Sequence, residues 1–433
     1  MYLERSIDKE LVKWKESPKR KPLMVRGARQ IGKSSTIRNL GNQFQYFIEI
    51  NFDDRPEFAK IFEGTTEEIC EQIEIISNTP IVEGETLLFF DEIQASTAAI
   101  SSLRYFYEKK PQLHVIAAGS LLEFALVELP SFGVGRVRSL FMYPFSFDEF
   151  LVANKEQKLL EAMKKGNPEQ PLPAIFHQKL LTYYKKFLVV GGMPEAVETY
   201  ITTQSLLEVQ TILDDLITSL QIDFTKYKSK INAASILQVF RAVVLQMGDK
   251  FSYTYPNSTL NNAQIKDVLE LLRMAGLVYS VTHSACNGLP LGAEINPKKR
   301  KILIFDTGIF QRILGLDLSN LFLETDFNSI NKGSIAELHV GLELIKNNYL
   351  YQNAELFYWQ REARNSQAEV DYVIQRSEKM IPIEVKSGLK GSMQSLFLFL
   401  DEKKIAYGVR TSLENFSEID RVKIFPLYAI SCL

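Results

Sequence analysis

The sequence predicts an α/β chain of several domains, and three observations carry that expectation. Apolar strands alternate with helical stretches through the front of the chain: PLMVRG, FQYFIEINF, TLLFFDE, LHVIAAGS and RSLFMYPFSF. The pattern then turns helical from Phe147 to Tyr227, broken only by KKGNPEQPLP and GGMPEA. Strands return near the end (ELFYWQRE, AEVDYVIQ, MIPIEVKS) beside a helix, GSIAELHVGLELIKNN. Continuous apolar strands separated by helices imply a parallel sheet covered on both faces.

Composition sets the limits. At 433 residues the chain is too long for one core, so about two to four domains are expected. It is 46% hydrophobic and 24% charged with a net charge of -2, which is ordinary globular composition and excludes a polyanion binder in the bulk sense. Cys70, Cys286 and Cys432 are far apart, which argues against a disulfide framework or a zinc site and fits a reducing cytoplasm. The first residues, MYLERSIDKELVKWKESPKRKP, lack the apolar stretch of a signal peptide. No segment approaches the ~20 apolar residues of a membrane span. The expectation is a cytoplasmic protein without membrane contact.

The first strand runs into GARQIGKSS, whose spacing is G-x-x-x-x-G-K-S from Gly27 to Ser34. Glycines let a loop curl its backbone N–H groups around phosphate oxygens, and the following helix offers its N-terminus to the negative charge. Gly27, Ala28, Arg29, Gln30, Ile31, Gly32, Lys33, Ser34 and Ser35 are therefore the candidate nucleotide-binding residues. Lys33 would reach the β- and γ-phosphates and Ser34 would bind Mg²⁺. The apolar strand of LLFFDEIQ delivers two acids: Asp91 to hold Mg²⁺ and Glu92 as the general base for an attacking water. Paired acids favour ATP hydrolysis over phosphoryl transfer to a small molecule. Ser120, at the end of VIAAGS, is the candidate polar group between acids and γ-phosphate, and Gln94 either shares that work or caps the next helix. In GVGRVRSL, Arg136 is preferred over Arg138 as an arginine finger, acting within the chain or across an oligomer.

Farther on, NNAQIKDVLELLRMAGLVYSV looks like a helix running into a strand, and GLPLGAEINPKKRKILIFD like a strand, a basic turn and another strand; a helix followed by a two-stranded ribbon is the pattern of a winged helix. NPKKRK would then be a basic wing tip suited to nucleic-acid phosphates, or simply a solvated turn. Tyr358 and Trp359 could stack on bases, although in a strand they are more often core. His114, His177, His283 and His339 form no readable metal or nucleophile pattern.

The last region places Glu337 in a helix, Asp371 in EVDYVI, and Glu384 and Lys386 in IEVKSG. This looks like the PD-(D/E)xK nuclease pattern. Glu337, Asp371 and Glu384 are candidate Mg²⁺ ligands, and Lys386 the group that orients the attacking water. Glu369 is expected to face away from Asp371 and is set aside.

RGARQIGKSS, LLFFDEIQ, AAGSLLEF, GVGRVRSLFMYPFSFDEFL, GGMPEAV and EVDYVI…IPIEVKSG occur in that order. With them the chain resembles, over nearly its whole length, prokaryotic AAA-like P-loop ATPases that carry a C-terminal domain of unknown function 4143. The resemblance implies an ATPase of the AAA/STAND-like class, a winged-helix segment and a C-terminal nuclease-like fold. The expected organisation is a P-loop parallel-sheet core (1–147), a helical domain (148–230), a winged-helix-like region (231–325) and a restriction-endonuclease-like α/β domain (326–433). ATP and Mg²⁺ are the expected ligands. DNA is a candidate partner, and the oligomeric state is not readable. Two functions follow: an ATP-driven switch coupled to a nuclease-like module, or an ATP-regulated binding protein whose nuclease-like domain does not cut.

Overall fold

A computed structural model describes residues 2–128, 135–226, 231–254, 259–315, 332–362, 368–388 and 392–433. Gly133 of the arginine-bearing turn and residues 316–331 lie outside them. The chain divides into two compact units. The first comprises Met1–Tyr143 with Met274–Gly276 and Tyr349–Asn353, and the second holds the remainder.

The first unit is built on β1 (Leu23–Arg26), β2 (Tyr46–Asn51), β3 (Thr86–Asp91), β4 (His114–Ala118) and β5 (Arg138–Phe141). They form one parallel sheet in the order β2-β3-β4-β1-β5. β3 and β4 are buried at every residue, which is why both read as unbroken apolar runs. The helices are α1 (Ser6–Glu16), α2 (Lys33–Gly41), α3 (Thr66–Ser77), α4 (Thr97–Lys109) and α5 (Leu122–Glu128). Thr65 and Glu68 close a capping box at the start of α3, the stop-and-start signal written into TTEE. Ile69 and Ile73 of α3 and Leu103 and Phe106 of α4 share a core with Ile48, Phe90 and Val115 of the sheet. Each such side chain contributes about 1.5–3 kcal/mol by burial, and Phe90→Ala would cost about 3–5 kcal/mol.

The second unit begins with helices: α6 (Phe147–Ala153), α7 (Gln157–Lys165), α8 (Ala174–Val190), α9 (Pro194–Thr203) and α10 (Leu206–Asp223). The double glycine of GGMPEA lies between α8 and α9. Gly191 has φ 75°, and a side chain there would collide with Asp306. The Asp306 carboxylate accepts from the Gly192 amide at 2.6 Å and caps α13 (Thr307–Ile313) through Ile309. α11 (Ala233–Leu245) and α12 (Asn262–Met274) precede the strands.

Those strands are β6 (Val278–Ser284), β7 (Ile295–Ile304), β8 (Leu356–Gln360), β9 (Glu369–Arg376), β10 (Lys379–Val385), β11 (Gly408–Ser412), β12 (Ser417–Ile419) and β13 (Val422–Pro426). They make one mixed sheet in the order β12-β13-β11-β10-β9-β8-β6-β7. The basic turn expected at NPKKRK is absent, because β7 runs unbroken through it; its antiparallel partner is β6, which also pairs in parallel with β8, Val281 opposite Leu356. Two more helices complete the unit, α14 (Lys332–Lys346) and α15 (Gln394–Lys403). α14 packs against β7, β8 and β10, and that packing sets where Glu337 falls.

Candidate functional site

In the first unit the expected motif lies between β1 and α2. β1 ends, the loop turns, and α2 begins at Lys33. The turn depends on left-handed backbone: φ is 145° at Gly27, 93° at Gly32 and 61° at Gln30. A Cβ on Gly27 would collide with the Met142 carbonyl, so only glycine fits there. The buried Arg5 guanidinium braces the loop by donating to the Ile31 carbonyl at 3.2 Å and the Tyr143 carbonyl at 2.7 Å. Nothing in the sequence singles out Arg5, because its partners are backbone atoms distant in the chain.

Lys33 is 7% exposed, and its ammonium donates to the carbonyls of Gly27 (3.0 Å) and Ala28 (2.7 Å). Burial pulls its pKa down to about 8, against the opposing pull of Glu92 and Asp91. The Ser34 hydroxyl donates to Asp91 Oδ2 at 2.8 Å, and the Asn51 amide lies 3.5 Å from the same oxygen. Burial raises the Asp91 carboxyl above its usual range, although the Ser34 bond works against it. Register explains Asn51: it is the residue paired with Asp91 across β2 and β3.

Glu92 follows at φ 51°, a left-handed conformation that costs a non-glycine residue on the order of 1 kcal/mol and gathers at functional sites. Its Oε2 accepts from Gln94 at 2.5 Å and from Ser120 at 3.3 Å. Gln94 Oε1 is buried without a partner, and a side chain on Gly119 would collide with it. β4 lies between β1 and β3, so its end brings Ser120 between loop and acids. Lys33, Ser34, Asp91, Glu92 and Ser120 therefore converge at the carboxyl ends of parallel strands, where α/β sheets bind ligands. Amides at a helix start, a lysine, a hydroxyl and a carboxylate make a donor set that fits a nucleotide with Mg²⁺.

Arg136 does not join them. Leu23 pairs with Arg138 and Arg26 with Phe141, so Arg136 lies where β1 starts, whereas the loop leaves where β1 ends. Roughly 10 Å of strand separates those edges. Arg136 instead forms an ion pair with Glu108 of α4. This corrects the expectation of a finger acting within its own chain.

The second unit gathers the other predicted residues around a cation the motif does not contain. Lys301, on β7, is 2% exposed. Its ammonium donates to Glu337 Oε1 at 2.8 Å and lies 2.6 Å from Glu369 Oε1 and 3.7 Å from Asp371 Oδ1. Burial works to lower its pKa, but Glu337, Asp371 and Glu369 together outweigh it and hold Lys301 well above lysine's usual value. The Lys386 ammonium bonds Glu384 Oε1 at 2.6 Å, while Glu384 Oε2 is buried without a partner. Asp371 Oδ2 accepts from the Val385 amide at 2.8 Å. Burial pushes Glu337 up to about 8, against the pull of Lys301. Burial, then Asp371, pushes Glu384 up to about 7.

Two expectations are corrected here. Glu369 shares a face with Asp371, as residues two apart on a strand must, and belongs to the cluster. Lys301, the last residue of NPKKRK, lies on β7 within the protein and not at an exposed tip. Its neighbour Lys299 pairs with Glu362. Among the described residues no group of three or more His, Cys, Asp or Glu side chains is arranged to hold a metal ion. Of the set expected to take a divalent cation, Glu337 and Asp371 face the Lys301 ammonium and Glu384 faces that of Lys386. Tyr358 and Trp359 are core. The histidines bond within the fold: His114 to the Lys15 carbonyl, His177 to Tyr428, His283 to the Gln360 carbonyl and His339 to the Leu427 carbonyl.

Three family descriptions match successive parts of the chain: AAA domain over residues 19–151, domain of unknown function DUF8612 over 181–320, and domain of unknown function DUF4143 over 332–430. The front segment is thus an AAA-type P-loop domain, and the expected C-terminal domain is present. No curated protein matches. Among solved structures, a Walker-type ATPase of Pyrococcus abyssi is similar at 15% identity and TM-score 0.45, over 73% of this chain and 96% of that one. The Aeropyrum pernix ORC1 protein, solved in complex with DNA, is similar at 13% identity and TM-score 0.28, over 75% and 95%. A signal transduction ATPase with numerous domains from Pyrococcus horikoshii, with a tetratricopeptide repeat sensor, is similar at 11% identity and TM-score 0.29, over 81% and 46%. No helix among the described residues is long and apolar enough to cross a membrane.

Proposed function

We propose that the first unit binds ATP with Mg²⁺ and hydrolyses it, and that the nucleotide state switches the conformation in which the second unit meets its partner. The observation that carries this is the meeting of Lys33, Ser34, Asp91 and Glu92 at the carboxyl ends of β1 and β3. Loop amides and the start of α2 hold the phosphates, and Lys33 adds a charge-assisted donor. Ser34 and Asp91 are the residues that would hold Mg²⁺, which supplies neutralisation of phosphate charge. Glu92 takes the proton from the attacking water, and Gln94 and Ser120 fix the carboxylate oxygen they share. Arg136 stays a candidate finger only across an interface between copies.

Nucleic acid, DNA first, is the candidate partner of the second unit. The pairing of Lys301 with its carboxylates favours the second function: recognition without cutting. The test of the first unit is Mg²⁺-dependent ATP turnover. Lys33→Ala loses nucleotide binding, on the order of a hundredfold. Glu92→Gln keeps binding and loses about 10²–10⁴ in kcat. Turnover by both variants at the wild-type rate contradicts the proposal.

A further inference from the structure

The carboxylates of the second unit meet a cation of the protein's own. Glu337 comes from α14, Glu369 and Asp371 from β9, and Lys301 from β7. An ammonium has three donor hydrogens, and three carboxylates surround this one at 2.6–3.7 Å. Its charge also lies 5.5 Å from the centre of the Tyr358 ring, whose face attracts cations. Four carboxylates, Glu337, Glu369, Asp371 and Glu384, thus share two ammoniums, Lys301 and Lys386.

We propose that Lys301 is the resident counter-ion of this cluster in place of a divalent metal, and that Glu337, Glu369 and Asp371 form a latent divalent-cation site that opens only when the Lys301 charge is removed. A hard divalent cation needs several oxygens at about 2.0–2.6 Å. Here Glu337 and Glu369 are turned to the ammonium, and Asp371 has one oxygen committed to the Val385 amide. A divalent cation at the same oxygens would have to displace the ammonium from Glu337 and Glu369 and would lie against its charge at short range. Without the metal the unit lacks the Lewis acid of phosphodiester hydrolysis. The module then serves for recognition, which deepens the second function proposed above. The inference concerns the second unit alone, and the Lys33→Ala turnover assay reads the first unit separately.

Mn²⁺ binding to the nucleotide-free full chain, followed by the loss of the free-ion electron paramagnetic resonance signal, tests it. The wild type is expected to bind no Mn²⁺ that Asp371→Asn removes. Lys301→Met is expected to gain one site, at least tenfold tighter than anything in the wild type, and to lose it when Asp371→Asn is added. Lys301→Gln, with the same charge removed, is expected to behave alike, and circular dichroism identifies which variant is folded. A wild-type Mn²⁺ site abolished by Asp371→Asn overturns the counter-ion assignment, and needs no Lys301 variant to do so. A folded Lys301 variant that gains no site overturns the latent site.

Discussion

Lys33 and Lys301 are both almost wholly buried, yet their surroundings differ in kind. Lys33 rests on two neutral carbonyls, those of Gly27 and Ala28, and burial draws its pKa down to about 8. Lys301 faces three carboxylates, which hold its proton against the same desolvation. A lysine bonded to carbonyls retains the capacity to take an anion, because Glu92 and Asp91 act on it without outweighing its burial. A lysine among carboxylates has none to spare. The comparison teaches that burial and charge alone do not mark a ligand site. The partners decide, and they make the first lysine a phosphate donor and the second a fixed part of the fold.

The same substitution at the two positions should break that symmetry most visibly. Lys301→Ala leaves the buried Glu337 and the partly exposed Glu369 and Asp371 without their cation and is expected to cost about 3 kcal/mol. Lys33→Ala removes a desolvated charge along with two bonds to carbonyls and is expected to stay within about 1 kcal/mol of the wild type. Urea denaturation of the two variants measures both. Equal losses would erase the distinction.

A smaller effect, in pH, sharpens it. Glu337 has its pKa raised from the usual 4.5 to about 8, so between those values the folded state binds more protons than the unfolded one. Its contribution to stability grows as pH falls through that window. Lys33 has its pKa lowered from 10.5 to about 8, so between those values the folded state binds fewer protons, and its contribution grows as pH rises. Glu337→Gln should therefore flatten the stability profile between pH 5 and 8, and Lys33→Met between pH 8 and 10. Denaturation midpoints across pH, variant against wild type, check the two signs.

The front site was legible because its chemistry is contiguous. G-x-x-x-x-G-K-S is a local arrangement of strand, loop and helix, and Asp91 and Glu92 end an apolar run that could only be an interior strand. Arg136 was not legible, because the edge of the sheet it occupies depends on the pairing of β5 with β1. Lys301 was hidden by its neighbours. A basic run looks solvated, and one buried member is distinguished only by β7 pairing with β6 and by α14 lying against β7. Glu369 was legible from strand periodicity alone. Setting it aside reversed a rule that applied correctly to Glu384 and Lys386, which do lie together. The helix α12 and the strand after it were visible, but the union of β6 with β8 is long-range and leaves no local mark.

Chemical labelling of the folded chain with an amine-reactive reagent, read at each lysine by mass spectrometry across pH, tests the contrast most directly. The account predicts that Lys33 labels with a midpoint near pH 8 and is protected by ATP with Mg²⁺, while Lys301 stays unlabelled until the protein unfolds. Labelling of Lys301 in the folded protein, or labelling of Lys33 that ATP leaves unchanged, would contradict it.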